Sequence, residues 1–305
     1  MSNQFKLTIL GSGSALPKKD RFQSAHLLEA HNKLFLIDCG EGMQIKAFQT
    51  KSNLSRLGHI FISHLHADHC LGLVGLISSL GMTGHRTNIE IHSAPELENL
   101  LKPQLDFFCQ DLGFDIIFHP FNPRKKEIIF EDRTLIVKTL PLKHRVPTCG
   151  FIFEEKPKER HLIPEMIEAF NIPIKELPLI KKGGDFITED GEIIENKKLT
   201  RDPSPSKKFV YCSDTLFLPK IVSDIENADC LFHEATFSEE EVLRAKKTYH
   251  STAKQAATIA LNSNAKKLVI GHFSSRYPSV EKIIDEARSV FPETIAAKDG
   301  LQIYF

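Results

Sequence analysis

A layered α/β fold is the class this sequence predicts, and three observations carry it. Short apolar, β-branched runs recur along the 305 residues, and each ends on a polar side chain. Stretches of helical periodicity lie between them. Hydrophobic residues make up 41% of the chain, which is enough for a sizeable core.

KLTIL (6–10) precedes Gly11-Ser12-Gly13, KLFLI (33–37) precedes Asp38, and HIFIS (59–63) precedes His64. RTLIVKTLPLK precedes His144, KFVYCS precedes Asp214, DCLF precedes His233 and KLVIG precedes His272. Their lengths suit strands. Helical spacing occupies 71–81, 95–108, 252–263 and 279–291, and the last two open after Thr or Ser, the preferred N-caps. Polar residues delivered at strand ends predict a site along one edge of the layers.

Residues 154–208 differ in character. They hold Pro157, Pro164, Pro173, Pro178, Pro203 and Pro205, the pair Gly183-Gly184 and three lysine pairs. Periodicity is weak except at PEMIEAF (164–170), where Pro164 suits a helix start. The expected organisation is one domain over 1–305 with 154–208 inserted as a flexible arm. Its 11 basic and 12 acidic residues nearly cancel, so charge alone does not mark a nucleic-acid surface.

The whole chain is likewise neutral, with 39 Lys+Arg against 39 Asp+Glu, so no global basic field announces a polyanion. No apolar run approaches the ~18 residues of a membrane span. The start MSNQFKLTILGSGS lacks a signal-peptide layout, and a cytoplasmic location is expected. Cys39, Cys70, Cys109, Cys149, Cys212 and Cys230 form no CxxC pair and read as reduced, packed thiols.

Chemistry concentrates in SHLHADHC (63–70), where His64, His66, Asp68 and His69 supply four potential ligands. Such nitrogen and oxygen donors suit zinc, with manganese or iron as competitors. Side chains two apart diverge on an α-helix but can converge on a loop leaving a strand. His64 and His66 can then face one metal and Asp68 and His69 its neighbour. Four ligands cannot close two coordination shells, so His144, Asp214 and His272 are the expected suppliers of the rest. Asp214 is the carboxylate that can bridge. Two such metals can activate a water and stabilise both oxygens of a phosphodiester displacement. His250 is the candidate proton donor and Glu234 the carboxylate that orients it. His26, His31, His59, His85, His92, His119 and His161 have no such setting and read as ordinary histidines.

HLHADH resembles the HxHxDH motif of the metallo-β-lactamase superfamily, which implies a four-layer αβ/βα sandwich with two metals. FLIDCGEGMQ (35–44), FISHLHADHCLGLVGLIS (61–78), HEATF (233–237), HST (250–252), GHFSSRY (271–277) and AAKDG (296–300) narrow the resemblance to the short-form ribonuclease Z family, over essentially the whole chain. It implies one zinc on His64, His66 and His144, a second on Asp68, His69 and His272, and Asp214 between them. Asp38 would orient ligands and His233 support the site. Asp68 joins Glu234 and His250 among the catalytic residues. The implied reaction removes the 3′ trailer from precursor tRNA and leaves a 3′-hydroxyl. The alternative is a phosphodiesterase of the same fold acting on small or cyclic phosphodiesters.

LPKKDRF (16–22) is similar to the family's PxKxRN loop, with Phe22 where that loop has Asn, and makes Lys18, Lys19 and Arg21 candidate tRNA contacts. GGDFITEDGEII (183–194) resembles the base of the family's tRNA-binding arm, and Lys181 and Lys182 are the candidate phosphate contacts there. The family also implies a homodimer.

Overall fold

The computed structural model describes residues 5–305, which fall into two compact units. The larger runs to Glu154 and resumes at Lys207, and the smaller is Glu155–Ser206. Six strands lead the chain: β1 (Lys6–Gly11), β2 (Ala25–Ala30), β3 (Lys33–Cys39), β4 (Leu57–Phe61), β5 (Ile89–Ser93) and β6 (Ile116–Pro120). Three follow, β7 (Ile128–Glu131), β8 (Leu135–Pro141) and β9 (Cys149–Glu155). The smaller unit holds β10 (His161–Leu162), β11 (Phe186–Ile187), β12 (Ile193–Ile194) and β13 (Thr200–Arg201). The chain ends with β14 (Lys208–Cys212), β15 (Cys230–Glu234), β16 (Leu268–Gly271), β17 (Thr294–Ala296) and β18 (Gln302–Tyr304).

The larger unit contains two seven-stranded sheets, ordered β18-β1-β2-β3-β4-β5-β6 and β17-β16-β15-β14-β9-β8-β7. The two-residue period of a strand shows how they pack. On β3, Phe35 and Ile37 join a core shared with Phe151, Phe209 and Phe232 of the second sheet. The alternating Leu34 and Leu36 face the other way, into a cluster with Met43, Leu73, Leu76, Leu97 and Leu101 of three covering helices. Helix Ala253–Asn262 packs on β15 and β16, and helix Glu281–Arg288 packs on that helix and β17. The order is helix, sheet, sheet, helix, as the sequence predicts.

Parallel pairing positions the chemistry. β3 and β4 are parallel, as are β14, β15 and β16. Their C-terminal ends carry Asp38, Ser63-His64, Asp214, Glu234 and His272, the edge where ligands gather in such sheets.

The predicted helices at 71–81, 95–108 and 252–263 are present as Gly72–Met82, Glu96–Phe108 and Ala253–Asn262. The last is closed by a capping box between Thr252 and Gln255, worth about 1 kcal/mol. The fourth is shorter than its periodicity suggests. It starts at Glu281 after Val280, and Ser279 accepts from the Glu281 N–H at 3.2 Å instead of capping. β2, AHLLEA, is composed of helix formers. Antiparallel partners on both sides hold it extended, so tertiary pairing overrides propensity.

The smaller unit has its own apolar core of Ile172, Ile180, Phe186, Ile194 and Leu199. Asn196 ties it together, its amide donating to the Ile180 and Gly184 carbonyls at 2.7 Å each. No described helix is long and apolar enough to cross a membrane.

Candidate metal centre

SHLHADHC leaves β4 with His66 still extended (φ −76°, ψ 148°), and a four-residue helix, Ala67–Cys70, follows at once. His64 and His66 therefore sit two apart on extended chain and share a side, while Asp68 and His69 occupy the first helical turn. The loop is clamped by glycines. A Cβ on Gly72 would lie 2.2 Å from the Gly40 carbonyl oxygen, and one on Gly40 would lie 2.8 Å from that of Asp68. Side chains are excluded there because two backbones touch.

The seven expected donors converge. His66 Nδ1 lies 3.0 Å from His64 Nε2 and 3.2 Å from His144 Nε2. Asp214 Oδ2 faces this set, 3.6 Å from His64 Nε2 and 3.8 Å from His144 Nε2. Its other oxygen, Oδ1, faces a second set, 3.6 Å from His69 Nε2 and 3.3 Å from His272 Nε2. Asp68 Oδ2 completes that set at 3.5 Å from His69 Nε2 and 3.4 Å from His272 Nε2. Donors on a tetrahedral ion with bonds of 2.0–2.1 Å are about 3.3 Å apart. Asp214 Oδ1 and His69 Nε2 are buried and make no hydrogen bond. Orphaned donors aimed at one another across such gaps fit cations.

Protonation agrees. Burial lowers the pKa of His64, His66 and His144, which keeps them neutral as ligands must be. Burial alone would raise Asp68, but His69 and His272 bring it down to about 2. His69 is the exception. Burial pushes it down, yet Asp214, Asp38 and Asp68 raise it well above the ordinary range. Positive charge is what this carboxylate-lined pocket demands, and a bound cation displaces that proton.

Outer hydrogen bonds fix which nitrogen of each ring faces inward. His144 Nδ1–H donates to the Tyr249 carbonyl at 2.8 Å, and His69 Nδ1–H donates to Asp38 Oδ2 at 2.7 Å. The Ser63 hydroxyl donates to Asp38 Oδ2 at 2.9 Å, which leaves its oxygen to accept from His64 Nδ1–H at 3.0 Å. The Thr236 hydroxyl likewise donates to Glu234 Oε2 at 2.7 Å and accepts from His272 Nδ1–H at 2.9 Å. All four rings thus turn Nε2, and not Nδ1, to the pocket.

Asp38 is the hub. It also accepts from the Ser63 N–H at 2.8 Å and the Tyr211 hydroxyl at 2.7 Å. It holds this position at φ 55°, and His272 sits at φ 61°, both in the left-handed region where strain concentrates at functional sites. Asp38→Asn turns an acceptor into a donor facing donors. Metal affinity, measured by competition with a chelator, should fall about 10–100-fold with the fold intact.

Glu234 is buried and fully engaged. Oε1 accepts from the Ser251 N–H at 2.8 Å, the Thr215 N–H at 3.2 Å and His250 Nδ1–H at 3.1 Å. Burial opposes ionisation, but His250 keeps its pKa below the usual value. His233 points elsewhere, donating from Nδ1 to the Glu234 carbonyl at 2.7 Å, with burial holding its ring neutral. A cleft of about 410 Å³ opens over the site, lined among others by Ser14, Ala15, His144, Arg145, His250 and His272.

The candidate substrate residues are less concentrated. Lys18 and Arg21 close a turn through their backbones, and both side chains donate to the Tyr277 carbonyl. Lys19 is exposed. Phe22 packs its ring near Gly42 and under the Lys46 ammonium. In the smaller unit Lys182 is exposed, and the Lys181 carbonyl accepts from the Arg160 N–H at 2.9 Å. That bond ties the lysine pair to the residue just before β10. Sequence reasoning missed Ser63, Tyr211, Thr236 and Arg145. Three of them neighbour a motif residue, but only the pairing of separate strands brings Ser63 and Tyr211 to Asp38 and Thr236 to His272.

A family profile described as anti-Pycsar protein Apyc1 matches residues 5–158. That stretch includes His64–His69 and His144 and stops before Asp214, Glu234, His250 and His272. The structure of human tRNase Z, short form, superposes with a TM-score of 0.70 at 25% identity, covering 98% of each chain. Ribonuclease Z of Bacteroides fragilis is 50% identical over 98% of this chain and 99% of its own length, and that of Bacteroides thetaiotaomicron is 48% identical over 98% and 95%. The chain belongs to the ribonuclease Z family. The fold is that of the metallo-β-lactamase superfamily, and the ribonuclease Z relationship extends through both halves of the site, including the segments that carry Glu234 and His250.

Proposed function

We propose that this ribonuclease Z family member is a two-zinc endoribonuclease that removes the 3′ trailer from precursor tRNA and leaves a 3′-hydroxyl. The observation that carries the reading is the division of Asp214, one oxygen toward each donor set, beside the Glu234–His250 pair. His64, His66 and His144 would hold one ion, Asp68, His69 and His272 the other, and Asp214 would span both. Two divalent ions, zinc or manganese, supply an activated water and neutralise charge on the phosphate oxygens. The protein's own residues do the rest. Glu234 accepts a hydrogen bond from His250 Nδ1–H and stabilises the protonated ring, so Nε2–H carries the proton for the departing oxygen. Thr236 joins this pair to His272 through one hydroxyl, which keeps acid and ligand in register.

Lys18, Lys19, Arg21 and Arg145 are proposed to meet phosphates beside the cleft. Lys181 and Lys182 would do so on the inserted unit, in a cytoplasmic homodimer. The deciding experiment maps products from 3′-extended tRNA alongside hydrolysis of bis(p-nitrophenyl) phosphate. Cleavage of the small ester alone would replace this reading with a small-phosphodiester hydrolase.

Register also supplies a clean test of the arm. Lys208 pairs with Glu154, so a short turn can join β9 to β14 in place of 155–206. The excised protein should hydrolyse the small ester normally and bind precursor tRNA at least about tenfold more weakly, through lost phosphate contacts. Unchanged tRNA affinity by filter binding would refute the arm assignment.

A further inference from the structure

A second cluster of metal-ligating side chains lies on the inner face of the first sheet, toward its β6 edge. Glu90 and His92 are two apart on β5 and share a face. His59 on β4 is paired in register with Glu90, and His119 on β6 with His92. His59 Nδ1 is 3.6 Å from Glu90 Oε2 and 3.5 Å from His92 Nε2. One donor atom from each of His59, Glu90 and His92 lies within 4.8 Å of the other two. His119 Nε2 is 3.1 Å from Glu90 Oε2, and its ring stacks on that of His92.

We propose that His59, Glu90 and His92 form a third divalent-metal site, separate from the catalytic pair, with His119 holding the Glu90 carboxylate in place. Separations of 3.5 and 3.6 Å are too long for good hydrogen bonds. They match the roughly 3.3 Å edge of a tetrahedral coordination shell. Two imidazoles and a carboxylate suit zinc or a late first-row ion and leave a position for water. His119 plays the part that a carboxylate-orienting neighbour plays in built metal sites.

Surroundings favour neutral rings and a cation. Burial lowers the pKa of His59, and it takes His92 down to about 3, so both keep lone pairs at neutral pH. Phe35, Phe61 and Phe130 wall the rings on the inner side. Glu90 and His119 are partly exposed, which gives an ion a way in. Lys33, a nearby cation that acts on His59, is engaged by Asp132 and lies over the Phe130 ring. An ion here ties β4 to β5, and through His119 to β6, cross-linking the end of the sheet.

The test is zinc stoichiometry by equilibrium dialysis and elemental analysis on the full chain. Wild type should hold one zinc more than Glu90→Gln or His59→Asn under the same conditions. Asp214→Ala should retain this ion, which separates the site from the catalytic one. With the catalytic ions loaded, further zinc should raise the melting temperature of wild type and leave that of Glu90→Gln unmoved. Equal zinc content in wild type and both variants, each shown folded by circular dichroism, overturns the proposal.

Discussion

Asp214→Ala should abolish cleavage of 3′-extended tRNA while leaving its binding within a few-fold of wild type. Asp214 is the one residue whose two oxygens address both donor sets, at 3.6 Å from His64 Nε2 and 3.3 Å from His272 Nε2. Its removal leaves His69 Nε2, already without a hydrogen-bond partner, with Asp68 Oδ2 as its remaining carboxylate neighbour. Lewis-acid stabilisation is worth several kcal/mol, and each 1.36 kcal/mol is tenfold, so the rate should fall by at least about 10³. Metal content should drop in parallel. The tRNA contacts proposed for Lys18, Lys19, Arg21, Lys181 and Lys182 are on other segments, so filter binding should change little. Equal loss of binding and cleavage would mean that the ions hold the fold together as well as the chemistry.

The two halves of this result were unequally legible. Four donors in six residues at the end of an apolar run demand partners, and strand-end polar residues are few, so His144, Asp214 and His272 could be named from sequence. Of the relay behind them, Asp38 was named through the family resemblance and its hydroxyl partners were not. Ser63, Asp38 and Tyr211 meet because β3, β4 and β14 end side by side, and Thr236 meets His272 because β15 and β16 are parallel neighbours. A hydroxyl in a loop carries no signal of its acceptor until register is known. The same limit hid His59, Glu90, His92 and His119, which lie on three separate strands and become neighbours only through their pairing. The fold itself was readable because its buried parallel strands are apolar throughout. β2 escaped because its partners, and not its composition, make it extended.

His250→Ala should slow cleavage of precursor tRNA by about 10²–10⁴ at neutral pH, the usual worth of a positioned acid. Its pH dependence separates this role from a structural one. Burial lowers the pKa of His250, but Glu234 and Asp214 raise it more, to about 9. A raised pKa means that the acid form is present at neutral pH and is lost as pH rises through about 9, so wild-type single-turnover rates should decline on that alkaline side. The alanine variant should lack that decline. Leaving-group chemistry gives a second, independent readout. A departing ribose oxygen needs a proton, whereas p-nitrophenolate leaves without one. Hydrolysis of bis(p-nitrophenyl) phosphate by His250→Ala should therefore stay close to wild type while tRNA cleavage collapses. Glu234→Gln should show the same contrast more weakly, since the amide still accepts from His250 Nδ1 but no longer holds a positive ring. If both substrates fail equally in His250→Ala, the histidine supports the metal pocket, which it approaches at 4.0 Å from Asp214 Oδ2, and the proton comes from elsewhere.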